Sequence, residues 1–418
     1  MSDFVETELG NLPESWLVTT VEDLVQEEVL AKPLDGNHGN IHPKGTDFVS
    51  EGIPFIMASD VNNGKVDLVN CKFISQEQAD SLQKGFSKTG DVLLTHKASL
   101  GRTAIVQENP YPYIMLTPQV TYYRILDSSR LNNKYLKYYF DSPIFQDTLV
   151  NHGDSGSTRA YVGITAQREL PVIYPPIEIQ YSIAQTLGSL DDKIDLLHRQ
   201  NQTLEQMAET LYNAWFEESD FTSRVSDLID LQNGYAFKSK SFQDLGEDRV
   251  LKIKNISGGI VDIETTDFVS HETVENLDGK FLISTGDILF AMTGAKIGKM
   301  GIIPKTDYKL WLNQRVGLFK EKYYGSRFLA YLHLKSDYGK DYIENTATGS
   351  AQPNISGTGI ENCEFPEISE QEIIDYSNQL APLYEKVIFN LGQIQKLEVL
   401  RNTLLPKLMS GEVKVSEL

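Results

Sequence analysis

The sequence has almost no cysteine: Cys71 and Cys363 are the only two in 418 residues, and neither has companions at metal-ligand spacing. That argues against a disulfide framework or a zinc module and fits a reducing, cytoplasmic setting. Long apolar runs are also missing. None approaches the ~20 residues that a membrane span requires, and Met1-Ser2-Asp3-Phe4-Val5-Glu6 does not read as a signal peptide. No membrane partner is expected. Positive charge is scarce, with 38 Lys and Arg against 58 Asp and Glu and a formal net charge of −20. A nucleic-acid binder usually shows a basic footprint, because released counterions drive its contact with phosphate. The total says nothing of distribution, so the charge has to be followed along the chain. Hydrophobic residues, at 40%, suffice for folded cores, and the length suggests roughly two to four domains.

What the sequence does have is a copy of itself. Val21-Glu22-Asp23-Leu24-Val25 returns as Val225-Ser226-Asp227-Leu228-Ile229. The segment from Pro54 to Asp67 is answered by Arg249 to Asp262, and Lys88-Thr89-Gly90-Asp91-Val92 by Ser284-Thr285-Gly286-Asp287-Ile288. A small-residue loop bearing cations follows each, Lys97–Arg102 and then Gly294–Lys299; later, Gly156–Tyr161 corresponds to Gly349–Asn354. The offset of about 200 residues is far longer than a solenoid repeat of roughly 20–50. A whole domain, with whatever follows it, is therefore duplicated, and twofold pseudosymmetry is expected. Short β-branched or aromatic runs such as Asp91–Thr95, Thr103–Val106 and Gln119–Ile125, bounded by turn residues, predict strands. Helices are predicted around Asn132–Phe140 and Ser326–Lys335, giving an α+β domain in each copy.

Each globular stretch leads into sequence of another kind. Ile183, Leu187, Leu190, Ile194, Leu197, Asn201, Leu204, Ala208, Leu211 and Trp215 alternate at spacings of four and three with no proline between them. This is a heptad seam, and the lone Asn201 would fix its register at some cost in stability. Leu380, Tyr384, Val387, Leu391 and Ile394 start the same rhythm in the second copy; Leu397, Leu400, Leu404 and Leu408 continue it after a phase slip. Two such seams should pack on each other. The plainer alternative is an amphipathic helix folded onto its own domain in each copy.

The charge is unevenly placed. Between Pro176 and Asp220, nine acidic residues (Glu178, Asp191, Asp192, Asp195, Glu205, Glu209, Glu217, Glu218 and Asp220) face only Lys193 and Arg199. The first long helix is thus a poor DNA surface. The loops are the reverse: Lys84, Lys88, Lys97 and Arg102 against Asp91, and Lys296, Lys299, Lys305 and Lys309 against Asp307. Basic patches at equivalent places of the repeat remove the objection raised by the total, although a charged run is commonly just a solvated face.

Catalytic signatures are missing. Gly294-Ala295-Lys296-Ile297-Gly298-Lys299-Met300 looks like a phosphate loop, but its glycine spacing is one residue short and Met300 stands where magnesium needs Ser or Thr. Asn109-Pro110-Tyr111-Pro112-Tyr113 is similar to the Asn-Pro-Pro-Tyr element of amino-methyltransferases, yet Tyr111 splits the prolines and no glycine-rich loop precedes it. His38 and His42 are four apart, but Gly36 and Gly39 place them in a loop rather than on a metal-binding helix face. No catalytic, cofactor-binding or metal residue is expected in this chain.

Taken in order, these features resemble the specificity subunit of type I restriction–modification enzymes over essentially the whole chain. The resemblance rests on the duplication with its two long helices. Further matches are Leu12-Pro13-Glu14-Ser15-Trp16, Asn233–Lys240, Thr285-Gly286-Asp287-Ile288-Leu289 and Leu404–Glu412. It implies two pseudo-symmetric target-recognition domains, 1–175 and 219–366, with spacer helix regions 176–218 and 367–418 forming an antiparallel coiled coil. Each domain would read one half of a bipartite, asymmetric site in double-stranded DNA. The helices would set the spacer and dock two methyltransferase subunits, which bring S-adenosylmethionine. A restriction and translocase subunit could join with ATP and magnesium. Base-edge chemistry favours Arg or Lys for guanine, Asn or Gln for adenine and Ser or Thr for either. Candidate DNA contacts in the first domain are Lys97, Ser99, Arg102, Thr117, Gln119, Arg159 and Tyr161. In the second they are Lys238, Lys254, Lys296, Lys299, Asn313, Gln314, Arg315, Gln352 and Asn354. The rival expectation is a coiled-coil scaffold whose duplicated domains bind protein and not specific DNA.

Overall fold

The computed structural model describes residues 4–97, 99–153, 161–349 and 352–415. Two compact units form, Met1–Asp192 with Val399–Leu418, and Lys193–Glu398. The long helices run Ile177–Phe216 and Glu370–Met409, so each begins in one unit and ends in the other. At ~1.5 Å per residue, forty residues make a rod of about 60 Å. The first helix starts directly after Pro175-Pro176, where a missing N–H costs nothing. The second starts on a capping box: the Ser369 hydroxyl accepts the Glu372 N–H at 3.3 Å, and the Glu372 carboxylate accepts the Ser369 N–H at 2.8 Å. It ends at Gly411, whose φ of 72° is left-handed.

The two units carry the same sheet plan. In the first, five strands lie in the order Phe86–Ser87, Ile114–Leu116, Ile53–Ile56, Lys72–Ile74 and Phe48–Val49. In the second the order is Leu282–Ile283, Lys309–Leu312, Asp248–Leu251, Asp267–Val269 and Phe242–Gln243. The only parallel pair within each of these sheets is at the equivalent place, Ile53–Ile56 with Ile114–Leu116 and Asp248–Leu251 with Lys309–Leu312. A second sheet orders Thr103–Ile105, Val92–Thr95, Val120–Tyr123 and Leu34–Asp35 in one unit. Its counterpart orders Met300–Ile302, Ile288–Ala291, Val316–Glu321 and Ile229–Asn233, extended beyond Met300–Ile302 by Gly259–Val261 and Ile256–Ser257.

Strand periodicity explains the layering. Val92 and Leu94 face a cluster containing Tyr123, Tyr135 and Phe140 of the helical side, while Leu93 faces Ile56, Leu116 and Val120. Ile288 and Phe290 join Phe328 and Leu329 on the helical side of the second unit; Leu289 and Ala291 join Leu251 and Leu312. Each central strand is therefore buried on both faces, which is why it reads as an unbroken apolar run. The recurrent Gly-Asp ahead of it locks a turn. Gly90 and Gly286 have φ of 89° and 82°, and Asp91 and Asp287 each accept the N–H three residues earlier at 2.8 Å.

The seam predicted for the helices serves two purposes. In the second unit Ile194 and Leu197 pack with Val387, Leu391 and Ile394, and Asn390 donates its Nδ2 to Oδ1 of Asn201 at 2.8 Å. Trp215 stacks on Tyr376 at 4.2 Å, so the partner number falls as the helix advances and the pair is antiparallel. The ends of the seams belong to the globular cores instead. Ile183 and Leu187 join the first unit's core, as do Leu405 and Leu408; Ala208, Leu380 and Tyr384 join the second's. Helix pairing and docking onto the globular parts thus share one apolar stripe.

Candidate nucleic-acid interface

In both units the candidate site lies where the central strand of the second sheet ends. In the first unit Thr95 leads to His96, whose N–H donates to the Gln119 carbonyl at 3.0 Å, while Val162 N–H donates to the His96 carbonyl at 3.1 Å. In the second unit Met292 N–H donates to the Arg315 carbonyl at 3.2 Å, and Ile355 N–H donates to the Met292 carbonyl at 3.0 Å. The bridges Lys97 with Tyr161 and Thr293 with Asn354 complete the correspondence. Glycines bring one further strand into the site. A Cβ on Gly36 would lie 1.9 Å from the Leu116 carbonyl oxygen, and one on Gly234 would lie 2.1 Å from that of Asn313. Only hydrogen fits there. Each glycine sets its predecessor, Asp35 or Asn233, at the same corner of the fold.

The first site is knotted together from within. Asp35 is buried, with Lys84 and the Nε2 of His38 (2.7 Å) bonded to its carboxylate. Burial works against its charge, but those bonds outweigh it and hold the carboxyl below the usual range. The His96 ring is buried and kept neutral, its pKa lowered by desolvation. Its Nδ1 lies 3.0 Å from the Val162 carbonyl oxygen, which can only accept, so Nδ1 carries the hydrogen. Nε2 is left bare, 4.0 Å from Asp35. Of the residues predicted from sequence, Lys97 lies 5.6 Å over the Tyr161 ring, the Gln119 side chain accepts the Ala58 N–H at 3.4 Å, and Thr117 is buried. Ser99 and Arg102 occupy the adjoining turn, where Arg102 donates to Asn62 at 2.7 Å. Arg159 lies outside the described residues.

The second site is open. Asn233, Met292, Thr293, Gln314, Arg315, Gln352, Asn354, Ile355, Ser356 and Gly357 line a cleft of about 470 Å³. Four of the predicted residues, Gln314, Arg315, Gln352 and Asn354, meet there. Asn313 stands next to them, its N–H on the Leu251 carbonyl at 3.2 Å. The lysines are elsewhere. Lys296 donates to the carbonyls of Lys254 and Ile256, both at 2.9 Å, so its ammonium ties a loop together. Lys254 pairs with Asp267 at 2.8 Å, and Lys238 and Lys299 are exposed. Sequence reasoning missed Asp35, His96, Asn233 and Thr293. The duplication carried the signal for the first and third, since aligning Gly36 with Gly234 pairs Asp35 with Asn233. Carboxamides and a guanidinium fork on one wall offer paired donors and acceptors at fixed spacing, which suits a planar partner bearing the matching pattern.

Comparison with known proteins places this geometry. The profile of the family described as "Type I restriction modification DNA specificity domain" matches residues 13–206 and again 218–398. The MjaIX and MjaVIII type I restriction enzyme specificity subunits of Methanocaldococcus jannaschii are 25% and 24% identical. Both alignments cover all of this chain, and 98% and 97% of those proteins. The crystal structure of a type I restriction–modification S subunit from M. genitalium superposes with a TM-score of 0.58 at 15% identity, covering 94% of this chain and 96% of that one. The last likeness concerns the fold alone.

Proposed function

The chain belongs to the type I restriction–modification DNA specificity family, and from that premise we propose that it reads a bipartite, asymmetric DNA target without catalysing a reaction. The target-recognition domains are residues 1–175 and 219–366, and each reads one half-site. The helix regions 176–218 and 367–418 set the spacing between halves and dock two methyltransferase subunits. S-adenosylmethionine belongs to those subunits, and ATP with magnesium to a restriction and translocase subunit where one joins. The complex works in the cytoplasm. One observation carries the reading: two units of the same strand order present different polar side chains at the same corner of the fold. One scaffold used twice with different side chains is what an asymmetric two-part target requires. The acidic composition of the first helix region suits docking to protein better than contact with phosphate.

Single-molecule mapping of modified bases tests this, in cells expressing the chain with its neighbouring methyltransferase. N6-methyladenine should appear in a split motif and vanish when the chain is deleted. An active methyltransferase and intact chain that leave no split motif would favour the protein-binding scaffold.

A further inference from the structure

We infer that the cleft of the second unit reads purine edges, a guanine through the Arg315 fork and an adenine through the carboxamides of Asn233, Gln314, Gln352 and Asn354. The inference rests on the chain being a DNA-recognition subunit and says which contacts one half of the target makes.

Four observations separate base reading from phosphate binding at this place. First, composition: no carboxylate lines the cleft, although acidic residues outnumber basic ones in the chain, and Arg315 is its single cation. A surface built to hold phosphates gains from many cations, whereas neutral carboxamides contribute no counterion release. They contribute a donor beside an acceptor, the pattern that adenine N6 and N7 complement; the Arg fork complements guanine O6 and N7.

Second, availability. Among the described residues the side chains of Gln314, Arg315, Gln352 and Asn354 make no hydrogen bond or ion pair within the protein. Some other cations of the unit are engaged, Lys254 with Asp267, Lys296 with carbonyls, Arg249 with the Ile263 carbonyl at 2.8 Å and Arg327 with Glu321, while Lys238 and Lys299 are exposed outside the cleft. The exposed side chains of the cleft are free to exchange water for a ligand without breaking an internal bond.

Third, the backbone beneath these side chains is pinned. Gln314 N–H donates to the Tyr235 carbonyl at 2.9 Å, the Arg315 carbonyl accepts from Met292, and Asn354 exchanges two 2.9 Å hydrogen bonds with Thr348. Side chains carried on a fixed main chain lose less freedom on binding. Fourth, Met292 and Ile355 put apolar atoms among the polar ones, where a thymine methyl group can rest.

Among the described residues this arrangement is not repeated in the first unit. Asp35 stands for Asn233, His96 for Met292, Lys97 for Thr293, Pro118 for Gln314, Gln119 for Arg315 and Tyr161 for Asn354. The assignment is therefore specific to one half-site.

The test uses the assembled complex of this chain with its methyltransferase subunits and duplexes bearing the mapped motif, each base pair replaced in turn. Arg315→Ala should lower the preference for one G·C pair by about 10- to 100-fold and leave the other half-site as selective as before. Gln314→Ala and Asn354→Ala should relax A·T pairs in that same half. Arg315→Lys, which keeps the charge and loses the fork, should lower the preference less than Arg315→Ala does while keeping affinity for a motif-free duplex. Arg315 and Gln314 are exposed, and an unchanged unfolding temperature of each variant complex confirms folding. An Arg315→Ala complex weakened equally on every duplex, or as selective as the parent, would overturn the inference. If the unsubstituted complex itself prefers no duplex, the DNA-reading function fails instead.

Discussion

The same corner of the fold is closed in one unit and open in the other. In the first, Asp35 is buried under Lys84 and His38, and Lys97 lies over Tyr161. In the second, Asn233 is exposed beside Gln314, Arg315 and Asn354, whose side chains make no hydrogen bond or ion pair among the described residues. What the two corners share is backbone: the close glycine and the hydrogen bonds that tie the strand end to the loops. The contrast teaches that main-chain geometry holds this corner while its side chains are free to differ. Under the proposed function, a duplicated domain would then address two unlike sequences without a second fold.

The comparison can be broken at its common part. Gly36→Ala and Gly234→Ala should each destabilise their own unit by about 3 kcal/mol or more, since a backbone carbonyl cannot yield as a side chain would. Thermal unfolding of both variants measures this. Similar losses are expected despite the different side chains around the two glycines, and a loss in only one would deny the shared role.

Acid should act on the second unit through His333. Its Nε2 donates to the Glu364 carbonyl at 2.7 Å, its Nδ1 lies 2.7 Å from the Tyr212 hydroxyl, and burial pushes its pKa down to about 4 from 6.5. The folded state therefore resists a proton that the unfolded chain accepts. Stability is full above pH 6.5 and falls as pH drops toward 4, by about 3 kcal/mol in total. Denaturant titrations across that window should show the loss, and His333→Gln should flatten it.

Exchanging the corner residues sharpens the contrast directly. Asp35→Asn leaves Lys84 and His38 without their carboxylate and should cost the first unit about 2 kcal/mol. Asn233→Asp alters an exposed side chain and should cost less than about 0.5 kcal/mol, while it sets a negative charge in the cleft and weakens DNA binding. Chemical denaturation and duplex binding separate the two effects.

The smallest effect belongs to the helix seam of the second unit. Asn201→Leu leaves Asn390, already without a partner for its Oδ1, only the 3.4 Å bond to Gln200 Oε1, and should cost about 1 kcal/mol. Adding Asn390→Leu should restore at least that amount, and a double variant still weaker than the single one would show that the pair does not act as a polar step in the seam.

Much of this architecture is written in residue periodicity. Val92–Thr95 and Ile288–Ala291 read as buried strands because both faces are covered, and the Ile183–Trp215 spacing announces a long helix. The division of that stripe between the partner helix and two globular cores was not legible, because an apolar residue does not say which surface covers it. The site was half legible for a similar reason. Gln314, Arg315, Gln352 and Asn354 were found by residue type, and the structure gathers them in one cleft. Lys296 has the same kind of charge, but its ammonium closes on carbonyls reached across the fold. Asn233 went unnoticed because its place is set by Gly234 and a distant strand.

The central claim is that two units read two different half-sites. Binding of the assembled complex to four duplexes tests it most directly: the intact motif, either half scrambled, and both scrambled, each at low and high salt. Scrambling either half should weaken binding, scrambling both should weaken it further, and the residual affinity should fall steeply with salt. Equal binding to all four duplexes, or a loss confined to one half, would contradict the account.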